Sequence, residues 1–406
     1  MDEASRAAPW LSIIGIGEDG LAGLGTAALA SLAGAEVVFG GTRHLRLAAG
    51  GITGEGHPWP SPFSIAPVLA LRGRRVAVLA SGDPMWHGAG ASLLREIPAH
   101  EARVFPQASA ASLAAARLGW ALAEVTTLSL HGRDIALLRP HLHPGARLIL
   151  LTSGTEAPAA IAALLAGAGF GESRLTLLEA LGGPEERQRN ARASGFALDA
   201  PHPLNTLAVE VVASPEATWL PRAPGLPDAL FQHDGQLTKR EARALALSAL
   251  RPFPGGLLWD VGAGAGSIGI EWMLAHPACR AIGIEARADR AARAAINAAA
   301  LGVPGLRLVV GEAPAALTGL PAPDAIFLGG GANDPGVFEA ALEALKPGGV
   351  FVAHAVTLQT EALLLARHAA LGGELLRFNL SRAEAVGSMT GWRPAMPVTQ
   401  WAWRKP

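Results

Sequence analysis

The sequence predicts an α/β protein, and three features lead there. Short apolar runs of strand length alternate along the chain with Ala/Leu-rich stretches of helical length. One run, 257–261, passes into a turn with glycine at Gly262, Gly264 and Gly266 before a helix from about Ser267, the pattern of the first strand–turn–helix unit of a doubly wound sheet. Between the halves, residues 214–227 carry Pro215, Pro221, Pro224 and Pro227 and no apolar periodicity, as an interdomain linker does. The expected division is a first domain over 1–213, a linker over 214–227 and a second domain over 228–406.

Composition narrows the function classes. At 406 residues the chain exceeds a usual single domain, and each half is long enough to bury its own core. A net charge of -1 supplies no global attraction to nucleic acid or to an anionic membrane, so neither is expected as a partner. The lone Cys279 excludes an intrachain disulfide and a cysteine-built zinc site, and no metal is expected. The longest apolar stretches are Ala-rich and shorter than a bilayer span, and no basic region with an apolar run and cleavage site opens the chain. The expectation is a soluble, cytoplasmic protein.

Taken in order, a disordered start gives way to 10–17, a strand entering a glycine turn, and then to an Ala/Leu-rich helix. Residues 35–39 and 75–80 are further strands, the second ending in the loop Ser81-Gly82-Asp83-Pro84 with Gly88 beyond it. The glycines and proline fix the backbone of that loop, and Asp83 is placed either to accept a hydrogen bond from a ligand or simply to close a turn. Residues 105–110, with Ser109 and Ala110, precede a helix; 127–133 reads as a strand end; 148–155, 174–179 and 205–212 continue the alternation.

Taken together, the glycine pair ending at Gly17, the Ser81–Pro84 loop, the Ser109 turn and the Ser129-x-His131-Gly-Arg133 segment resemble the tetrapyrrole methylase family, the class III S-adenosylmethionine methyltransferases. The resemblance implies two α/β subdomains with the cofactor folded between them, contacted through loops that here carry Gly17, Ser81, Gly82, Asp83, Ser109 and Ala110. Where that family usually has a proline in the first loop, this sequence has Glu18 or Asp19.

The second half opens on a polar stretch, 228–243, containing His233, Thr238, Lys239, Arg240, Glu241 and Arg243. Thr238 and Glu241 have the spacing of a capping box at a helix start. The same element precedes the glycine turn and is a candidate lid over it. Asp260 ends the apolar strand two residues before Gly262, where its carboxylate faces a cationic sulfonium or amine. The turn itself, Gly262-Ala263-Gly264-Ala265-Gly266, supplies backbone N–H groups and close approach. Gly264 to Gly269 also satisfies G-x-G-x-x-G, a dinucleotide pattern that is frequently false alone. Residues 280–285 form the second strand, with Glu285 at the end where a carboxylate accepts both ribose hydroxyls. Residues 306–310 lead to Ala313 and Pro314, 324–328 to three glycines, and a Pro-Gly-Gly turn at 347–349 precedes the fifth strand.

These motifs, in this order, resemble a Rossmann-like class I S-adenosylmethionine methyltransferase. With 228–243, 323–331 and 353–357 added, the second half resembles the decarboxylating precorrin methyltransferase module. A tetrapyrrole methylase fused ahead of it covers essentially the whole chain. The resemblance implies one S-adenosyl-L-methionine per domain and a precorrin substrate. It implies methylation at carbons 5 and 15 with loss of carbon dioxide from the C12 acetate side chain, in cobalamin biosynthesis, with carbon 5 assigned to the first domain. A homo-oligomer is expected. That family commonly has an Asn where His354 stands.

Methyl transfer to an electron-rich macrocycle needs alignment and water exclusion more than a strong base. Loss of carbon dioxide leaves a carbon that must take a proton, and His233, Lys239 and Glu241 are the ranked donors. Arg240 and Arg243, with Lys239, are expected to bind substrate carboxylates. The competing reading is an RNA or protein methyltransferase with a regulatory cofactor-binding first half. The fourth strand, however, is not followed by an N-P-P-[FY] motif.

Overall fold

The computed structural model describes residues 9–86 and 88–406. The disordered start expected ahead of Trp10 falls on residues outside that range. The described chain divides into two compact units. One runs to Ile135 and resumes over His143–Thr218; the other comprises Ala136–Leu142 and Trp219–Pro406.

The first unit holds two sheets. Strands β1 (Leu11–Ile16), β2 (Val37–Gly40), β3 (Glu55–Pro58), β4 (Val76–Ser81) and β5 (Ala102–Phe105) pair in the order β3-β2-β4-β1-β5, every pair parallel. Strands β1, β2 and β4 read as near-continuous apolar runs because a parallel sheet covered on both faces buries successive side chains alike. The second sheet is mixed. Its strands β6 (Thr126–Ser129), β7 (Arg147–Leu151), β8 (Arg174–Glu179), β9 (Arg187–Arg192) and β10 (Asn205–Glu210) run in the order β6-β7-β10-β8-β9. Strand β9, RQRNAR, carries no apolar alternation and was not legible as a strand. As an edge strand it needs none, and its charges protect the open edge. Arg187 and Arg189 on it clamp the buried Glu179 of β8 at 2.8 and 2.9 Å.

In the second unit, β11 (Leu257–Val261), β12 (Arg280–Glu285), β13 (Arg307–Val310), β14 (Ala325–Leu328) and β15 (Val350–Ala355) form the parallel body of a seven-stranded sheet. Strand β16 (Glu374–Phe378), the hairpin β17 (Ser381–Val386) and β18 (Met389–Pro394), and β19 (Val398–Arg404) follow. The sheet order is β13-β12-β11-β14-β15-β19-β16, with β19 antiparallel to both neighbours. Strand order reverses between β11 and β14, so a crevice opens at the carboxyl ends of those strands. Apolar clusters pack both faces, one around Trp272, Ile270 and Phe231 and one around Trp259, Phe338, Phe351 and Trp401.

The proline-rich stretch is no free tether after Trp219. Leu220 and Leu226 are buried in the second unit's core, and the N–H groups of Gly225 and Leu226 donate to Glu271 at 2.6 and 2.9 Å. Residues 228–243 also differ from expectation. The helix Arg240–Leu250 has Lys239 at its N-cap with no side-chain cap bond, so the Thr238–Glu241 capping box does not form.

Candidate functional site

The glycine turn after β11 is held open by its own backbone. Gly262, Gly264 and Gly266 have φ of 73°, 56° and 76°, left-handed values that side chains rarely adopt. A Cβ at Gly262 would meet Gly330 N at 3.0 Å, while one at Gly264 would face open space, with only Gln236 O at 4.0 Å. The turn is anchored where the N–H groups of Gly262 and Ala263 donate to Ile284 O at 2.9 and 3.0 Å. Glu285, at the end of β12 and 5% exposed, completes the tie. Its carboxylate accepts from Gly264 N at 2.8 Å and from Arg287 N at 3.0 Å.

Asp260 is 2% exposed and accepts one bond, from Gly269 N at 3.0 Å. Burial pushes its carboxyl up to about 7; the nearby Glu285 adds in the same direction and the Gly269 N–H opposes. A cation beside it would pull the carboxyl back down and favour the carboxylate.

These groups line a cavity of about 1160 Å³, larger than a usual one-ligand pocket. Asp260, Gly262 to Ala265, Glu285, Glu312 and Ala313 form the end beside β11, β12 and β13. Thr238 and Lys239 lie at the same cavity. Sheet order places the other end beside β15, β19 and β16, where His354, Phe378, Val398, Leu380 and Met396 line it. His354 is half-buried, with Nε2 2.9 Å from Gln400 Oε1 and its ring edge-on to Phe327. Burial pulls its imidazole down to about 4, against the bond to Gln400.

Several sequence-ranked residues take other roles. His233 is exposed, does not line the cavity, and its Nδ1 accepts from Gly235 N at 3.0 Å. Glu241 also lies off the lining; its carboxylate sits 2.5 Å from Arg382 Nη2 and titrates below the ordinary range, since backbone and Arg382 bonds outweigh the upward push of burial. A carboxyl held in its charged form is a poor proton donor, and of the three expected donors only Lys239 lines the cavity. Arg240 is exposed and away from the cavity. Arg243 is the clearest correction. It is fully buried, with Nε 2.5 Å from Glu271, Nη1 3.1 Å from Asp228, further bonds to the carbonyls of Thr238 and Leu226, and its guanidinium over Phe231. Four of its five N–H donors are taken inside the protein, and Arg243 does not line the cavity where a substrate carboxylate would lie.

In the first unit, the loops after β4, β1 and β5 converge at the strands' carboxyl ends. A side chain at Gly15 would run into the Gly82 carbonyl. Gly82 N donates to Ile16 O at 3.1 Å, and Gln107 N to Gly82 O at 3.2 Å. Ser81 Oγ lies 2.9 Å from Arg43 Nη2 and 2.8 Å from His44 Nε2. Asp83 Oδ1 accepts from Met85 N at 2.9 Å, closing a local turn. Ser109 caps the helix that Ala110 begins, accepting from Ser112 N at 3.1 Å. Gly17 lies in the first loop, where a Cβ would meet the Asp19 carboxylate at 2.6 Å. Among the described residues no helix is long and apolar enough to cross a membrane.

Two family models match the chain. One, described as Tetrapyrrole (Corrin/Porphyrin) Methylases, covers residues 11–196; the other, Precorrin methyltransferase domain, covers 229–405. A Sinorhizobium sp protein named Precorrin-6Y C(5,15)-methyltransferase (decarboxylating) is 58% identical over 405 residues, 99% of this chain and 98% of its own length. A Mycobacterium tuberculosis protein of that name is 41% identical over 396 residues, covering 96% of this chain and 98% of itself. A Pyrobaculum aerophilum protein named "Probable cobalt-precorrin-6B C(15)-methyltransferase (decarboxylating)" is 37% identical over 189 residues, 45% of this chain and 96% of its own.

Proposed function

The chain belongs to the family of decarboxylating precorrin-6Y C(5,15)-methyltransferases, and from that premise we propose how its two units share the reaction. It is an S-adenosylmethionine-dependent C-methyltransferase of cobalamin biosynthesis. It acts on precorrin-6B, methylating two carbons and removing one carboxylate as carbon dioxide. The first unit methylates carbon 5; the second methylates carbon 15 and decarboxylates the C12 acetate, giving precorrin-8. A half-length relative whose name carries both the C(15) methylation and the decarboxylation supports that split. Each unit takes one S-adenosylmethionine. The RNA or protein methyltransferase reading has no observation in its favour.

The second unit's residues fit that cofactor. Its turn leaves Gly264 open to solvent on the side where a Cβ would stand. Glu285 keeps acceptor capacity beyond its two backbone bonds for ribose hydroxyls, and Asp260 recovers its charge beside a cation. When bound, the cofactor supplies an electrophilic methyl group. The chain's own residues align the macrocycle and exclude water from the apolar end of the cavity. In the decarboxylation, the bond between the acetate methylene and its carboxylate breaks, the macrocycle takes the electron pair, and the methylene carbon then takes a proton. Lys239, on the lining, is the proton donor in this reading. In the first unit, the convergent loops of Gly17, Ser81 to Asp83 and Ser109 with Ala110 hold the other cofactor.

The carrying observation is the tie between Glu285 and the glycine turn inside a cavity large enough for cofactor and substrate together. The test follows product mass with the full chain and reduced precorrin. Gly264→Val, which forces a side chain onto a left-handed residue, should give a product methylated at carbon 5 and not at carbon 15. Carbon 15 methylation at the normal rate would overturn the division. Calorimetric titration should count two cofactor sites. The reading also carries action in the cytoplasm and self-association, the latter checked by light scattering.

A further inference from the structure

The second unit's cavity is not uniform in charge along the sheet. Its acidic lining, Asp260, Glu285, Glu312 and Asp334, follows strands β11 to β14, whereas the end beside β15, β19 and β16 is apolar and has one cation, Arg382. Of the other two lining cations, Arg290 is taken by Asp234 at 2.8 Å, and Lys239 lies 3.9 Å from Asp228.

Arg382 sits on β17 of the exposed hairpin and reaches Glu241, 141 residues away in the first turn of helix Arg240–Leu250. Both side chains of this pair are partly exposed to solvent, 47% and 41%. Such a pair gains little from Coulomb attraction in water, so a carboxylate presented from inside the cavity competes with Glu241 on favourable terms. The guanidinium is a fork that takes carboxylates two bonds at a time. Phe378, Leu380 and Met396 beside it offer the apolar wall that a flat ring system needs.

We propose that Arg382 is a substrate-binding residue: it captures a peripheral carboxylate of the tetrapyrrole, with Glu241 as the placeholder that occupies the guanidinium until substrate arrives. The inference rests on the reading that the second unit holds the precorrin for carbon 15 methylation and decarboxylation. It assigns the hairpin a function that the motifs of the glycine turn do not reach.

The test uses the full chain, reduced precorrin and isotope-labelled S-adenosylmethionine, so that each new methyl and the loss of carbon dioxide are read separately. Arg382→Gln should raise KM for decarboxylation roughly tenfold or more, with S-adenosylmethionine affinity unchanged and Arg382→Lys intermediate. Glu241→Gln should leave that KM no higher than in the unaltered chain, because it removes a competitor. Equal rises in KM for Arg382→Gln and Glu241→Gln would make the pair a structural latch and overturn the proposal, as would a KM unchanged for every step in Arg382→Gln. A rise confined to carbon 5 methylation would keep Arg382 as a carboxylate anchor and overturn the division of steps instead.

Discussion

The Glu285 carboxylate accepts a hydrogen bond from Gly264 N at 2.8 Å, so the acidic end of β12 and the glycine turn after β11 are one structural unit. A ribose bound by Glu285 would therefore meet a carboxylate already oriented by the loop that cradles the rest of the ligand.

Glu285→Gln places an amide where two backbone N–H groups need acceptors. S-adenosylmethionine affinity in the second unit should fall about ten- to a hundredfold, the worth of charge-assisted bonds of roughly 1.5–3 kcal/mol. The first unit's site should bind as before. Calorimetry that finds both affinities unchanged would remove Glu285 from the pocket.

Asp260 makes cofactor binding sensitive to pH. The carboxyl titrates near 7 when folded and empty, against an ordinary 3.8, so between those values the folded state holds a proton that the unfolded chain has lost. Stability of the second unit falls as pH rises across that window. A bound cation reverses the shift, so binding should release a proton near neutrality and tighten as pH rises toward 7. Asp260→Asn should abolish the proton release, read by titrating in buffers of different ionisation enthalpy, and should flatten the melting temperature against pH. Identical proton counts in the two proteins would contradict this.

Arg243 predicts stability, not catalysis. Arg243→Met strips Glu271 of its cationic partner in a buried site, a loss that costs about 3–5 kcal/mol where nothing else compensates. The N–H groups of Gly225 and Leu226 still reach Glu271, which argues for the lower end. Denaturant unfolding should register the loss, and a weak binding phenotype with full stability would return Arg243 to the substrate.

For the first unit, Gly82 and Asp83 separate packing from contact. A Cβ at Gly82, where φ is 53°, would meet Ala108 O at 2.9 Å, so Gly82→Val should abolish carbon 5 methylation and spare decarboxylation. Asp83→Ala loses one turn bond to Met85, worth about 0.5–1.5 kcal/mol, and should do far less. If the two variants fail equally at carbon 5, Asp83 touches the ligand.

Local chemistry made much of this protein legible without coordinates. The three left-handed glycines, the carboxylates closing β11 and β12 and the buried parallel strands each follow from one short stretch of chain, because turn geometry and strand burial are set by near neighbours. The family followed from the order of those motifs. Edge strand β9 and the hairpin β17–β18 were illegible for a complementary reason: their residues are exposed, so no apolar alternation marks them.

Only tertiary structure decided what the charged residues do. Sequence placed His233, Lys239, Glu241 and Arg243 in one stretch with equal claims to the site. Folding buried Arg243 against Glu271 from 28 residues away, turned Glu241 to Arg382 from 141 residues away, left His233 in solvent, and brought His354 and Phe378 to the cavity instead. A long charged side chain goes where a distant partner offsets its desolvation. That partner's position depends on how the sheet is ordered, which is not written in the spacing of any one motif.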